Sequence, residues 1–312
     1  MDFMTTLFIN HPACLEHDTP YGHPERADRL RAVNQGLAEA RFSALQRSEA
    51  PEADLDTIAL CHTDHHIVEL RQMSPQTGLI FVDSDTSMSP GTWEAALRSV
   101  GGAVAATDAV MTGQVHNAFV ATRPPGHHAE IGKPMGFCFF GNAAIAARYA
   151  QRKYGIGRAA VVDFDVHHGN GTQEIFWGDK TVMYCSTHQM PLFPGTGAVG
   201  ERGEHDNIVN APLQSEDGTA KFRAAFDDLI LPRLTAFAPE LIVISAGFDA
   251  HCRDPLASLN LQTEDFAWVT QKLMDVADLS AGGRIVSVLE GGYDLQGLRE
   301  SVNAHVGALM GS

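Results

Sequence analysis

A chain of 312 residues, 44% hydrophobic and 19% charged, carries enough apolar content for a large core and too little charge for a disordered protein. Its formal net charge of −16 argues against nonspecific binding to nucleic acid, and no apolar run approaches the roughly 18 residues that a membrane span needs. Five cysteines, Cys14, Cys61, Cys138, Cys185 and Cys252, form no CxxC pair, a pattern that suits free thiols in a reducing compartment and predicts a cytoplasmic protein.

The first strand expected is "TTLFIN", followed after a long stretch by the helical pattern "SPGTWEAALRSVGGAVAATDAVMTG", with Ser89 as N-cap, Pro90 in the first turn and a stop at Gly113. Between them "CHTDHH" reads as a helix start with exposed imidazoles. Further strands are expected at "NAFVATR", "AAVVDFDV", "TVMYCST", "NIVNAPL", "ELIVISAGF" and "RIVSVLEGG". The segments "GNAAIAARYAQRKYG", "TAKFRAAFDDLILPRLTAFAP", "TEDFAWVTQKLMDVADLSAGG" and "LQGLRESVNAHVGALM" repeat apolar residues at helical spacing. Strand and helix alternate without a linker, low-complexity tract or repeat. The fold class is therefore α/β, one domain over residues 1–312, with a parallel sheet and helices on both faces.

In such sheets ligands bind at the carboxyl ends of the strands. Four strands here run into polar or glycine-rich ends: "VATRPPGHHAE", "VVDFDVHHGNG", "VISAGFDAHCRDP" and "VSVLEGGYD". If Ala159–Val166 is extended, Val162, Phe164 and Val166 share one face while Asp163, Asp165 and His167 share the other. Asp165 and His167 are then a metal pair, and Asp249, just past the apolar run "LIVISAGF", completes an Asp, His, Asp set with room for water and substrate. Asp163 is either a ligand itself or a partner that holds a histidine. His127 and His128 after the stiff "RPP" suit a general base with an electrostatic partner. Tyr293, after two glycines, suits a donor to a developing oxyanion. His168 points to the opposite face, and Cys252 reads as a structural thiol.

The blocks "RPPGHHAE", "GFCFFGN", "VDFDVHHGNGTQEIF", "FPGTG", "SAGFDAH" and "LEGGYD" resemble, in order, the signatures of the zinc-dependent histone deacetylase family. The opening "HPACLEHDTPYGHPERADRL" and "GFDAHCRDPL" resemble its class II and bacterial branch, with its histone deacetylase-like amidohydrolases and acetylpolyamine amidohydrolases. The resemblance implies an arginase-deacetylase fold and hydrolysis of an acylated amine, with one zinc per chain on Asp165, His167 and Asp249. It implies His128 as general base and acid, His127 as its partner backed by Asp163, and Tyr293 polarising the acyl carbonyl. Phe137, Gly136, Phe193, Leu256 and Asp85 match the substrate channel, Asp83 being the alternative to Asp85. Asp163, Asp165, His167 and Ser186 match a monovalent cation site for potassium. Asn170 stands where class I relatives carry Asp, and Asn there is usual in class II.

The expected substrate is an acyl-lysine of a protein or peptide. Leu256 stands where a polyamine-selective relative has an acidic gatekeeper, which disfavours the acetylpolyamine alternative. A silent acyl-ligand binder and a binuclear manganese hydrolase are more remote readings. A homo-oligomer is compatible with the sequence.

Overall fold

The structure, a computed structural model, describes residues 4–311. Its centre is an eight-stranded, wholly parallel sheet. In chain order the strands are β1 (Thr6–Asn10), β2 (Gln46–Glu49), the short antiparallel hairpin β3 (Ile80–Phe81) and β4 (Ser87–Met88), β5 (Asn117–Val120), β6 (Ala159–Asp163), β7 (Val182–Gln189), β8 (Ile208–Leu213), β9 (Leu241–Ala246) and β10 (Ile285–Leu289). The large sheet runs β2-β1-β5-β10-β9-β6-β7-β8, and the hairpin stands apart from it.

The central strands are buried on both faces because their alternating side chains feed two cores. From β5, Ala118 and Val120 enter one core and Phe119 the other; from β6, Val161 faces the first and Val162 the second. The helices Thr92–Met111 and Asn142–Tyr154 close the first core with Ala96, Val100, Ala143 and Ala147. The helices Asp28–Leu37, Thr263–Ser280 and Leu295–Leu309 close the second with Val33, Phe266, Leu273, Leu298 and Val302. Each of the buried Val, Leu and Phe side chains stabilises the fold by about 1.5–3 kcal/mol relative to exposure. Small residues dominate Asn142–Tyr154, which lets that helix lie close on the sheet.

Several expectations need correcting. The long helix begins at Thr92, not beside Ser89, and Gly91 is its N-cap residue without a side-chain cap. Ser89 instead uses its hydroxyl to accept from the Asp18 amide, 2.9 Å away. "CHTDHH" does start a helix, Asp64–Met73, capped by Thr63, but only His65 is exposed. His62 and His66 are buried and brace the loops around the site: His62 donates to the Glu130 carbonyl at 3.0 Å and accepts from the Gly141 amide at 2.9 Å, while His66 donates to the Phe139 carbonyl at 2.8 Å. Cys252 is exposed rather than built into the core. Among the described residues, no helix is long and apolar enough to cross a membrane.

Candidate active site

Strands β5, β10, β9 and β6 are neighbours at the middle of the sheet, and each delivers its polar carboxyl end to one place. Strand β6 ends at Asp163, earlier than Val166, yet Phe164 N still donates to the Ser245 carbonyl and the Val166 carbonyl accepts from Gln189 N, and the alternation persists: Val162, Phe164 and Val166 all enter the second core. Asp163, Asp165 and His167 turn the other way.

Asp165, His167 and Asp249 are buried and bring one donor atom each within 4.8 Å of the others. His167 Nδ1 lies 3.2 Å from Asp165 Oδ1 and 3.1 Å from Asp249 Oδ2. A tetrahedral zinc with bonds of 2.0–2.1 Å spaces its donors by about 3.3 Å, so the set fits that ion and its preference for nitrogen and oxygen ligands. Backbone amides fix both carboxylates. Asp165 accepts from His167 N and Gly291 N, each at 2.8 Å, and Asp249 Oδ1 accepts from Val166 N at 2.8 Å. Gly291 has to be glycine, since a Cβ there would lie 2.1 Å from Asp249 Oδ2 and 2.6 Å from Asp165 Oδ2. Burial pushes Asp249 up to about 7, with the Asp165 charge adding to it. A cation among these groups would remove that penalty.

The two histidines of the "GHH" turn differ in their partners. His127 Nδ1 faces Asp163 Oδ2 at 3.0 Å, and Asp163 also accepts from the buried Tyr184 hydroxyl at 3.0 Å. Burial works against a charge on His127, but the Asp165 and Asp163 carboxylates outweigh it and raise its pKa to about 10. His128 Nδ1 donates to the neutral Asn170 Oδ1 at 2.9 Å. Asn170 is oriented by its amide, which donates to Glu130 Oε1 at 2.8 Å, so its carbonyl oxygen faces His128. That leaves His128 Nε2 unprotonated. Burial first, then the charges on His127 and His167, hold His128 well below its ordinary pKa.

A cavity of about 250 Å³ leads to these groups, lined by Asp85, His128, Gly136, Phe137, His167, Leu192, Phe193, Leu256 and Tyr293. All five channel residues named from the sequence are there, and Leu192 is an addition. Phe193 packs edge-on to His128 at 5.0 Å between centroids, and Phe137 edge-on to Tyr293 at 6.0 Å. Gly136 adopts φ +57°, and a Cβ on it would lie 2.4 Å from the His128 ring. Asp85, rather than Asp83, faces the cavity; its Oδ1 accepts from Gly136 N at 3.2 Å, while Asp83 lies near Lys133 at 3.9 Å. Burial keeps the Tyr293 hydroxyl far above its ordinary pKa, hence neutral.

Ser186 pairs in register with Asp163 across β6 and β7, which brings it beside the proposed cation ligands. His188 Nε2 donates to the Gly197 carbonyl, so its Nδ1 accepts a hydrogen bond from the Ser186 hydroxyl at 2.8 Å. His168 turns away from the cavity, to Thr196 and Gln173.

Sequence reasoning passed over the supports beneath the site. Glu25, fully buried, receives Arg123 at 2.6 Å and Arg29 at 3.0 Å, with His17 3.5 Å away. Arg123 opens the "RPPGHH" turn, and Arg29 donates to the carbonyls of Glu290 and Gly292 and stacks on the Tyr293 ring at 4.8 Å. The Glu290 side chain accepts from Gly126 N at 2.7 Å and His127 N at 3.1 Å. The blocks "HPERADRL" and "LEGGYD" contained these residues, but a charged side chain in a motif reads by default as surface.

Comparison with known proteins places the chain among relatives. Residues 23–309 match the family described as histone deacetylase domain. The "Histone deacetylase-like amidohydrolase" of Pseudomonas aeruginosa is 40% identical, covering 87% of this chain and 73% of that one. A "Probable deacetylase" of Archaeoglobus fulgidus is 38% identical, covering 98% and 86%. The mouse "Polyamine deacetylase HDAC10" is also 38% identical, covering 94% of this chain and 46% of its own. Among solved structures, the "Crystal Structure of HDA15 HD domain" superposes with a TM-score of 0.94 at 35% identity, covering 99% of this chain and 89% of that one.

Proposed function

Since this chain belongs to the histone deacetylase family, and is a hydrolytic deacetylase of the arginase-deacetylase fold, we propose that it is a zinc enzyme that removes acetyl or another short acyl group from lysine side chains. The observation that carries this reading is the Asp165, His167 and Asp249 donor set at the foot of an aromatic-walled cavity that also holds His128 and Tyr293. The chemistry that zinc, one ion per chain, supplies in such a set is Lewis acidity toward an acyl carbonyl and toward water.

The residues of the chain divide the remaining work. His128 Nε2, neutral and pointing away from Asn170, accepts a proton from the attacking water and returns it to the departing amine, which would otherwise leave as an unstable anion. His127, paired with Asp163 at 3.0 Å, has a carboxylate that favours its charged form, and a charge there would oppose early protonation of His128. The Tyr293 hydroxyl donates to the oxygen that gains negative charge. Phe137 and Phe193 strip water from the methylene chain of the substrate, and the Asp85 carboxylate at the rim is placed to accept from a substrate amide. Potassium at Asp163, Asp165, His167 and Ser186 would stiffen the β6 end, a role supported by the register that sets Ser186 beside Asp163. A cytoplasmic setting is supported by five cysteines that all stand free.

The apolar Leu256 at the cavity favours the lysine substrate over a free polyamine, because Leu256 itself offers the extra cation no partner and, among the described residues, Asp85 is the one carboxylate lining the cavity. The relative named as a polyamine deacetylase keeps that second substrate class in the test. The test is kcat/KM of zinc-loaded protein on an acetyl-lysine peptide, acetylputrescine and acetylspermidine. Preference for the peptide is expected. Preference for the small amines would replace lysine as the substrate, and no turnover of any acylated amine would end the reading.

A further inference from the structure

We propose that Asp254 is a positioning residue that ties the backbone carrying Tyr293 to that of the channel residue Leu256 through one shared carboxylate. Asp254 is 8% exposed and sits in the turn that follows the Asp249 ligand, its own amide donating to the His251 carbonyl at 2.8 Å. Its Oδ2 accepts from Tyr293 N at 2.7 Å and Asp294 N at 3.2 Å, and its Oδ1 accepts from Leu256 N at 3.0 Å. Tyr293 and Leu256 come from segments far apart in sequence, yet both side chains line the cavity. Asp294 in turn caps the helix Leu295–Leu309 by accepting from Gly297 N at 2.7 Å.

The choice of a carboxylate matters here. Only an ionised carboxyl offers acceptors on both oxygens, and bonds from N–H groups to it are roughly twice as strong as neutral ones. An asparagine would aim its own NH₂ either at the Tyr293 and Asp294 amides or at the Leu256 amide, releasing one arm. A displacement of about 1 Å in a reacting group can cost about 10²-fold in rate. Acting through Tyr293, Asp254 touches neither substrate nor metal.

The inference rests on the carbonyl-polarising role given to Tyr293, and a double-mutant cycle separates the two. Asp254→Asn, Tyr293→Phe and the double variant are compared for kcat and KM on an acetyl-lysine peptide, with zinc per chain and Tm measured on each. Asp254→Asn is expected to lower kcat about 10- to 100-fold with zinc content unchanged, and to cost less than about 3-fold once Tyr293 is already Phe. The ratio of kcat/KM for acetyl over longer acyl chains should also change as Leu256 shifts. Losses that multiply in the double variant would overturn the coupling alone, as would zinc loss in proportion to activity or kcat equal to the wild type. Full turnover in Tyr293→Phe would overturn the role of the tyrosine and this inference together. Should Asp254→Asn fail to fold, Asp254→Ser, which keeps an acceptor for one arm, takes its place in the cycle under the same criteria.

Discussion

Replacing Glu25 by Gln should test whether the buried ion network holds the site in place. The substitution nearly preserves volume but leaves the guanidinium groups of Arg29 and Arg123, both fully buried, facing a neutral amide. Breaking a buried pair in this way costs about 3–5 kcal/mol. At about 2.1 cal/mol/K of unfolding entropy per residue, a chain of 312 residues loses about 1.5 °C per kcal/mol, so Tm should fall by about 5–8 °C. Acid supplies an internal control. Burial opposes the charge on Glu25, yet Arg123 and His17 hold its pKa well below 4.5. A carboxyl depressed in the folded state stabilises above its unfolded pKa and loses that contribution as pH falls through the folded value. The gap between wild type and Glu25→Gln should therefore be full at neutral pH and narrow below about 4.5 as the wild type is titrated. Calorimetry across pH measures both. A destabilisation under about 1 kcal/mol, or a gap that acid does not narrow, would refute the account of this network.

Tyr293→Phe should lower kcat about 10²- to 10³-fold, the loss typical of one oxyanion donor, while zinc per chain stays constant; unchanged turnover would exclude the hydroxyl from the reaction. Asn170→Asp would put a charge beside His128 Nδ1, favour the imidazolium and move the acidic limb of kcat/KM to higher pH, whereas an unmoved limb would deny His128 the role of base. Leu256→Glu should raise the ratio of acetylspermidine to acetyl-lysine peptide turnover about 10-fold, as one added attraction of about 1.4 kcal/mol implies; no change in the ratio would remove Leu256 from substrate choice. Stripping metal with a chelator should abolish activity and lower Tm, and zinc at about 1,000 times its Kd should restore about 4 kcal/mol; a chelated protein with full activity would refute the metal assignment.

Legibility in the sequence followed the physical signal. The apolar central strands and the ligand alternation after Val162 were readable because period-two burial leaves a strong pattern. Strand β2, Gln46–Glu49, was not: it lies at the sheet edge, fully exposed, and its residues carry no apolar face. The hairpin of Ile80–Phe81 and Ser87–Met88 is too short for any period to register. Ser89 looked like a cap because Ser before Pro usually is, but its hydroxyl had a tertiary partner in Asp18. His62 and His66 looked exposed because Asp64 and His65 between them are polar; burial became apparent only once the loop carbonyls of Glu130 and Phe139 were in place. The same holds for Glu25, Arg29 and Asp254, whose partners are backbone atoms or charges brought near by the fold. The Asp165, His167 and Asp249 cluster, the His pair and Tyr293 could be expected to meet because motif spacing and strand ends both pointed to one place, where the structure brings them together.

The order of strands in the sheet has a consequence for synthesis of the protein. Strand β10, the last of the ten strands among the described residues, is inserted between β5 and β9 rather than added at an edge. Without it, β5 and β9 in their present positions would stand about 9.6 Å apart, twice the spacing of paired strands, with unpaired amides and carbonyls on both sides of the gap. A nascent chain that ends before Ile285 therefore carries an open seam through its middle and lacks Tyr293 as well. Such a truncated product would expose the edges by which strands pair with foreign chains, so β10 both seals the sheet and brings Tyr293 to the site.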